Sequence, residues 1–253
     1  MDRVLTALAD QHAELAELVG GLDEAGMATP SRCEGWSVSD VLLHLAQTDE
    51  AALASLEGRL AGGLSDWSTA LGGQEVTNVD DAAGVMVERE RGASGYEVFE
   101  RWFTGTAALR EAFEAGDLSR KVRWVVGEFS ARTLASTRLA ECWIHTGDIA
   151  GGLGVELEPT DRLWHIARLA WRTLPYAFAQ AGRSLAGPVV FRLRAPSGDL
   201  WTFEAEDAPL TTVEGDALEL CLVAGRRIPG AESDLEAEGP DADAVLDLVR
   251  TFA

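Results

Sequence analysis

The hydrophobic period of this chain changes once, and that change limits most strongly what it can fold into. Through about residue 155, apolar side chains recur at three- and four-residue intervals, as amphipathic helices require. Residues 2–20 carry Val4, Leu5, Leu8, His12, Leu15 and Leu18 at that spacing. Residues 27–36 read as a loop with Pro30 and Gly35. Ser37 is placed to cap the next helix, with Asp40 at its positive end. That helix runs through VSDVLLHLAQTDEAALASLEGRL and fades at Gly62 and Gly63. Residues 62–80 read as a long surface connection, and 80–92 as a further helix. Residues 95–115 predict a bundle helix with a break near Gly105, and Ser130 to Ala150 predict another.

GGLGVELEPT ends the helical half and reads as a linker. Beyond it, DRLWHIARLAWRTLPYAFAQAG predicts a helix with a proline in its C-terminal half. PVVFRLRAP then alternates as a half-buried strand does, and SGD turns into LWTFEAE. LTTVEG adds a strand, and DALELCLVAGRR reads as an apolar helix or a buried strand, with helix the favoured reading. SDLEAEG is an edge strand, and DADAVLDLVRTFA a final helix with Asp241 as its cap. The expected architecture is two-domain α+β. A helical bundle occupies 1–155, and a small α+β domain on a mostly antiparallel sheet occupies 156–253.

The formal net charge is −21, and no basic stripe interrupts it, which argues against nucleic-acid phosphates and anionic lipid as partners. Cys33, Cys142 and Cys221 form no CxxC pair, and an odd count leaves one unpaired. Free thiols in a reducing compartment follow. MDRVLTALADQHAELAELV is amphipathic and lacks the marks of a signal peptide, so the expected location is the cytoplasm, with no membrane span.

Of His12, His44, His145 and His165, one stands in an apolar setting. His44 lies in VLLHLAQ with leucine or valine nearly all round, so its ring should face a partner inside the bundle. In RLAECWIHTGD, Glu141 and His145 are four apart and share a helical face. Facing helices of bundles commonly build metal sites from such inward side chains. Two histidines and a glutamate also form a known open zinc set. The competing reading is a core histidine and an ordinary Glu–His hydrogen bond. Asp148, three residues beyond His145, either orients that ring or pairs with Arg138. Trp36, Trp124 and Trp143 read as core or pocket walls, and Cys33 as a packing residue near the mouth of any site before His44. Cys142 points off the Glu141 face, which suits packing.

GWSVSDVLLHLAQTDEAA and RLAECWIHTGDIA resemble the two helix signatures of the DinB-like, mycothiol-dependent maleylpyruvate isomerase family. RLWHIARLAWRTLPYAF, CLVAGRR and the acidic ending extend that resemblance along essentially the whole chain, toward an actinobacterial branch described as metal-binding. The resemblance implies a DinB-like four-helix bundle followed by a sterol-carrier-like α+β domain. It implies a divalent metal, Zn2+ by donor type, on His44, Glu141 and His145, and mycothiol as cosubstrate. It also implies a C-terminal arginine, Arg226 or Arg227 in CLVAGRRIPG, that assists a substrate carboxylate. The expected function is therefore a metal-dependent enzyme acting on a small-molecule electrophile with a low-molecular-weight thiol, by isomerisation or S-transfer. A metal-assisted hydrolase or lyase, and a small-ligand binding protein with a structural metal, are the alternatives.

Overall fold

A computed structural model describes residues 2–60, 79–125 and 127–251. Most helices of the N-terminal half begin where a short polar side chain accepts from the free N–H groups of the first turn. Asp2 accepts from Val4 N to start α1 (Arg3–Val19), and Asp23 accepts from Gly26 N to start the short α2 (Glu24–Met27). Ser37 and Asp40 cap α3 (Val38–Leu56) reciprocally, as the spacing predicts. α4 covers Val79–Glu90. Most of the connection expected over 62–80 lies outside the described residues.

Ser94 and Glu97 form a second reciprocal cap, at the start of α5 (Gly95–Ala115). The break expected near Gly105 is corrected: α5 runs through it. A helical glycine costs only about 1 kcal/mol relative to alanine. Burial of Val98, Trp102, Leu109 and Phe113 along the same helix outweighs that. A hairpin of β1 (Lys121–Trp124) and β2 (Gly127–Ser130), absent from the sequence reading, leads into α6 (Ala131–Leu153). Ser130 caps α6, and Gly154 ends it at φ 70°, the left-handed conformation that glycine adopts without strain.

α1, α3, α5 and α6 form a closed ring of neighbours: α3 on α5, α5 on α1, α1 on α6, and α6 on α3. Their buried faces meet in a core that includes Leu15, Val19, Val41, Leu42, Leu45, Trp102 and Ile149. This is the four-helix bundle the period implies.

The chain divides into two compact units, Met1–Leu157 and Glu158–Ala253. The second opens with α7 (Leu163–Gln180), which carries Pro175 inside it. β3 (Val189–Arg194) pairs antiparallel with β4 (Leu200–Phe203), the expected hairpin. β5 (Thr211–Asp216) lies parallel to β3 on its other side, and β6 (Glu236–Glu238) pairs antiparallel at the edge, giving the order β4–β3–β5–β6. α8 (Ala217–Ala224) and α9 (Ala242–Leu248) complete the unit. Asp241 precedes α9 without a side-chain bond to it. Its carboxylate accepts from Ala186 N at 2.7 Å instead, so it ties down the loop before β3. The architecture is thus α+β, a helical bundle followed by a small sheet domain. Among the described residues no helix is long and apolar enough to cross a membrane.

Candidate metal centre

α3 and α6 are neighbours in the bundle, and each turns polar side chains toward the other. His44 comes from the second turn of α3. Glu141, His145 and Asp148 come from α6 at i, i+4 and i+7, which share one face of a helix. His44 Nε2 lies 2.9 Å from Glu141 Oε1, and His145 Nε2 lies 3.5 Å from the same oxygen. The two imidazole centroids are 4.9 Å apart, edge to face. One ligand atom from each of His44, Glu141 and His145 falls within 4.8 Å of the others. Trp36 packs its ring 5.3 Å from that of His44 and walls the cluster on one side.

His145 is held from behind. Its Nδ1 lies 2.9 Å from Asp148 Oδ2, and the Cys33 thiol donates to that oxygen at 3.2 Å. Of the two partners the sequence offers Asp148, the structure gives His145. Arg138, one turn before Glu141, pairs instead with Asp49 Oδ1 at 2.8 Å and donates to the Thr48 hydroxyl at 2.8 Å. Asp49 was not singled out in the sequence, although one signal was there. DVLLHLAQTDEAAL and RLAECWIH each carry a charge inside an apolar helix, and buried opposite charges require each other.

Burial pushes the His44 ring down, against the pull of its bond to Glu141, and so favours its neutral form. Burial would raise Glu141, but hydrogen bonds from His145 and His44 prevail and hold it well below the usual carboxylate range. Burial would lower His145, yet the bonds to Asp148, Cys33 and Glu141 hold it well above its ordinary value. An anionic carboxylate shared by two imidazoles, one of them neutral, is suitable chemistry for a divalent cation. Held above its ordinary value, the His145 ring donates from Nδ1 to Asp148 and from Nε2 toward Glu141. A divalent ion would take the place of the Nε2 proton while Asp148 keeps the one on Nδ1.

The remaining sequence candidates fall elsewhere. Cys142 is buried in the bundle core, and burial pushes its thiol far up, so it packs rather than reacts. Cys221 is buried in the second unit, with its thiol donating to Leu163 O. Trp124 lies half-buried on β1 and Trp143 half-buried on α6. His12 is buried edge-on to Trp102 with neither ring nitrogen hydrogen-bonded, and burial with nearby Arg110 and Arg138 pushes it down to about 3. His165 stacks edge-on to Trp164. Arg226 and Arg227 lie in the second unit, at the turn after α8. Arg226 takes a left-handed φ of 59° and lines a cavity of roughly 540 Å3 with Arg250, Asp243 and Asp247. Arg227 donates to Gly225 O at 2.8 Å.

The family model for the mycothiol maleylpyruvate isomerase N-terminal domain matches residues 8–150, more than half of the chain. The chain belongs to this family. Its relatives include the uncharacterized protein Rv0036c of Mycobacterium tuberculosis (strain H37Rv), 33% identical over 97% of this chain and 95% of that protein. The uncharacterized protein MT0041 of another strain of that organism (CDC 1551 / Oshkosh) matches equally well. The fold is also that of the mycothiol-dependent maleylpyruvate isomerase. Its crystal structure superposes with a TM-score of 0.59 at 21% identity, over 94% of each chain. A histidine-to-alanine mutant of that enzyme gives the same TM-score at 20% identity. The family match covers all of α3 and α6 as far as Ala150, so His44, Glu141 and His145 all lie inside it.

Proposed function

We propose that this protein is a metal-dependent enzyme that uses a low-molecular-weight thiol, mycothiol, to act on an electrophilic small molecule. The observation that carries this reading is the convergence of His44, Glu141 and His145 on one buried point between α3 and α6. A divalent ion there, Zn2+ by its donor set, would acidify an incoming thiol and favour its thiolate.

The chain's own residues supply the rest. His44 offers a neutral nitrogen, His145 would offer its Nε2 once the ion displaces the proton there, and Glu141 offers the anionic oxygen. Asp148 holds the His145 ring by its Nδ1–H, which keeps Nε2 turned inward. Trp36 limits water at the His44 side. None of the three cysteines is suited to attack substrate: Cys142 and Cys221 are buried, and Cys33 faces Asp148. The nucleophile is therefore external. Its sulfur adds to an electrophilic carbon of a conjugated double bond, the bond becomes single and rotates, and the same sulfur then leaves. The net change is cis–trans isomerisation with the thiol regenerated; retention of the sulfur would give S-transfer. One of Arg226 and Arg227 would receive a substrate carboxylate. The protein acts in the cytoplasm, where thiols remain reduced.

His44→Ala should lose metal and activity together, since two ligands hold an ion poorly. Metal content is read by elemental analysis, and activity with and without thiol on the identified substrate. Equal rates in both conditions would remove the thiol and favour water as the nucleophile, as in a metal-assisted hydrolase. Failure of the wild-type protein to bind any divalent ion would remove both enzymatic readings.

A further inference from the structure

The loop between α2 and α3 is built against the C-terminal end of α6. Arg32 N donates to Asp148 O at 3.1 Å, and Pro30 bridges Ser37. A Cβ on Gly152 would come within 2.3 Å of Pro30 O, so glycine there permits the approach. Ser31 Oγ accepts from Cys33 N at 3.1 Å and donates to Trp36 O at 2.8 Å. The loop therefore fixes Cys33, with Sγ 3.2 Å from Asp148 Oδ2 and 3.7 Å from His145 Nδ1. Nδ1 and Oδ2 are themselves 2.9 Å apart. Around one ion with metal–sulfur bonds of ~2.3 Å and metal–nitrogen or metal–oxygen bonds of ~2.0–2.1 Å, tetrahedral ligand atoms lie ~3.3–3.6 Å apart. Shifts of a few tenths of an ångström reach that arrangement.

We propose that Cys33, His145 Nδ1 and Asp148 form a second cation position, selective for thiophilic ions and mutually exclusive with the position at His44, Glu141 and His145. The exclusivity rests on the metal centre proposed above; the Cys33 position stands on its own geometry. The selectivity comes from sulfur, because a thiolate favours soft and borderline ions over the harder ones that imidazole and carboxylate also accept. When the sulfur–metal bond forms, the Cys33 proton passes to solvent. His145 then carries its N–H on Nε2, where Glu141 Oε1 at 3.5 Å accepts it, and its lone pair on Nδ1. A neutral imidazole has one lone pair, so His145 serves one position at a time. A thiophilic ion at Cys33 withdraws His145 from the first position and leaves only His44 and Glu141 there. The second position is thus inhibitory.

The full-length protein is titrated with Cd2+ and followed by cadmium NMR, in which sulfur ligation moves the resonance far downfield of nitrogen and oxygen ligation. The wild type should give a sulfur-range resonance. Cys33→Ser should abolish it and weaken Cd2+ binding by more than about tenfold, while melting with the wild type. His44→Ala should keep it. Zn2+ loaded beforehand should be released one for one as Cd2+ binds. A wild-type resonance outside the sulfur range, or a sulfur-range resonance that persists in Cys33→Ser, would overturn the position, since Cys142 and Cys221 are buried. Cd2+ bound at Cys33 with Zn2+ fully retained would overturn the exclusivity. Unchanged Zn2+ affinity in His44→Ala would sink the first metal centre and leave the cadmium result standing.

Discussion

Asp148 decides what His145 can offer. With its carboxylate 2.9 Å from Nδ1, it fixes both the tautomer and the ring plane. Replacing such a partner typically costs 10–100-fold in metal affinity. Asp148→Asn should therefore weaken Zn2+ binding by about that factor while leaving the three ligands in place, as a competition titration would show; unchanged affinity would mean the ring is oriented by packing alone. His12 gives a second prediction, about stability. Its folded value of about 3 lies below the ordinary 6.5, so between those pH values the unfolded chain binds a proton that the folded chain does not. Stability contributed by neutral His12 is full above pH ~6.5 and declines as pH falls toward ~3. At pH ~4.5 the loss should be about 2–3 kcal/mol. Urea unfolding of wild type and His12→Leu at pH ~7 and ~4.5 measures it; identical pH dependence would show that His12 protonates inside the fold. A histidine ringed by leucines and an i, i+4 Glu–His pair each need a partner, so the meeting of His44 with Glu141 and His145 is legible in the sequence, whereas a metal between them is implied only by the family signatures. The sequence suits Cys33 to packing, because nothing in it shows that the loop of Cys33 folds onto the end of α6.

The elements that carry the site are locked together away from it. Arg138 of α6 and Asp49 of α3 form an ion pair in which both side chains are about 3% exposed or less. Burial pushes the Asp49 carboxyl up in spite of Arg138, a sign that desolvation weighs heavily on this pair. Removing one partner should then cost more than removing both. Arg138→Met strands a buried carboxylate and should lower stability by about 3–5 kcal/mol, whereas Arg138→Met with Asp49→Leu should recover most of it. Denaturant midpoints of the three proteins test this, and a double variant no better than the single would show that the pair contributes more than its desolvation costs. At this scale the caps were readable in part. Ser37-x-x-Asp40 announces the start of α3, and Gly154 closes α6 just past Leu153. The β1–β2 hairpin was not readable, because KVRWVVGEFS offers no alternation long enough to separate a strand from a buried turn. Nor was the parallel pairing of β3 with β5, since residue period sets which face a strand buries and leaves its neighbour open.

Across the whole molecule, chemistry and topology divide at the same place. The change of hydrophobic period near residue 155 lies close to the division of the chain into Met1–Leu157 and Glu158–Ala253. Every residue of the proposed metal centre, with Asp148, Cys33, Arg138 and Asp49 behind it, belongs to the first unit. The two arginines proposed to receive a carboxylate belong to the second. The first unit also encloses its own core, in which α1, α3, α5 and α6 each bury a face against two neighbours. A fragment of residues 1–157 should therefore fold with the helical signal of its share of the chain and bind one Zn2+ with the affinity of the full protein, within about threefold. Residues 158–253 should bind none. The same fragment, lacking Arg226 and Arg227, should fail to turn over a carboxylate substrate even when loaded with metal and supplied with thiol. Circular dichroism, metal titration and turnover of the two fragments separate these outcomes. A folded 1–157 fragment with no metal affinity would show that the ligand geometry depends on the second unit, and full turnover by that fragment would remove Arg226 and Arg227 from the reaction.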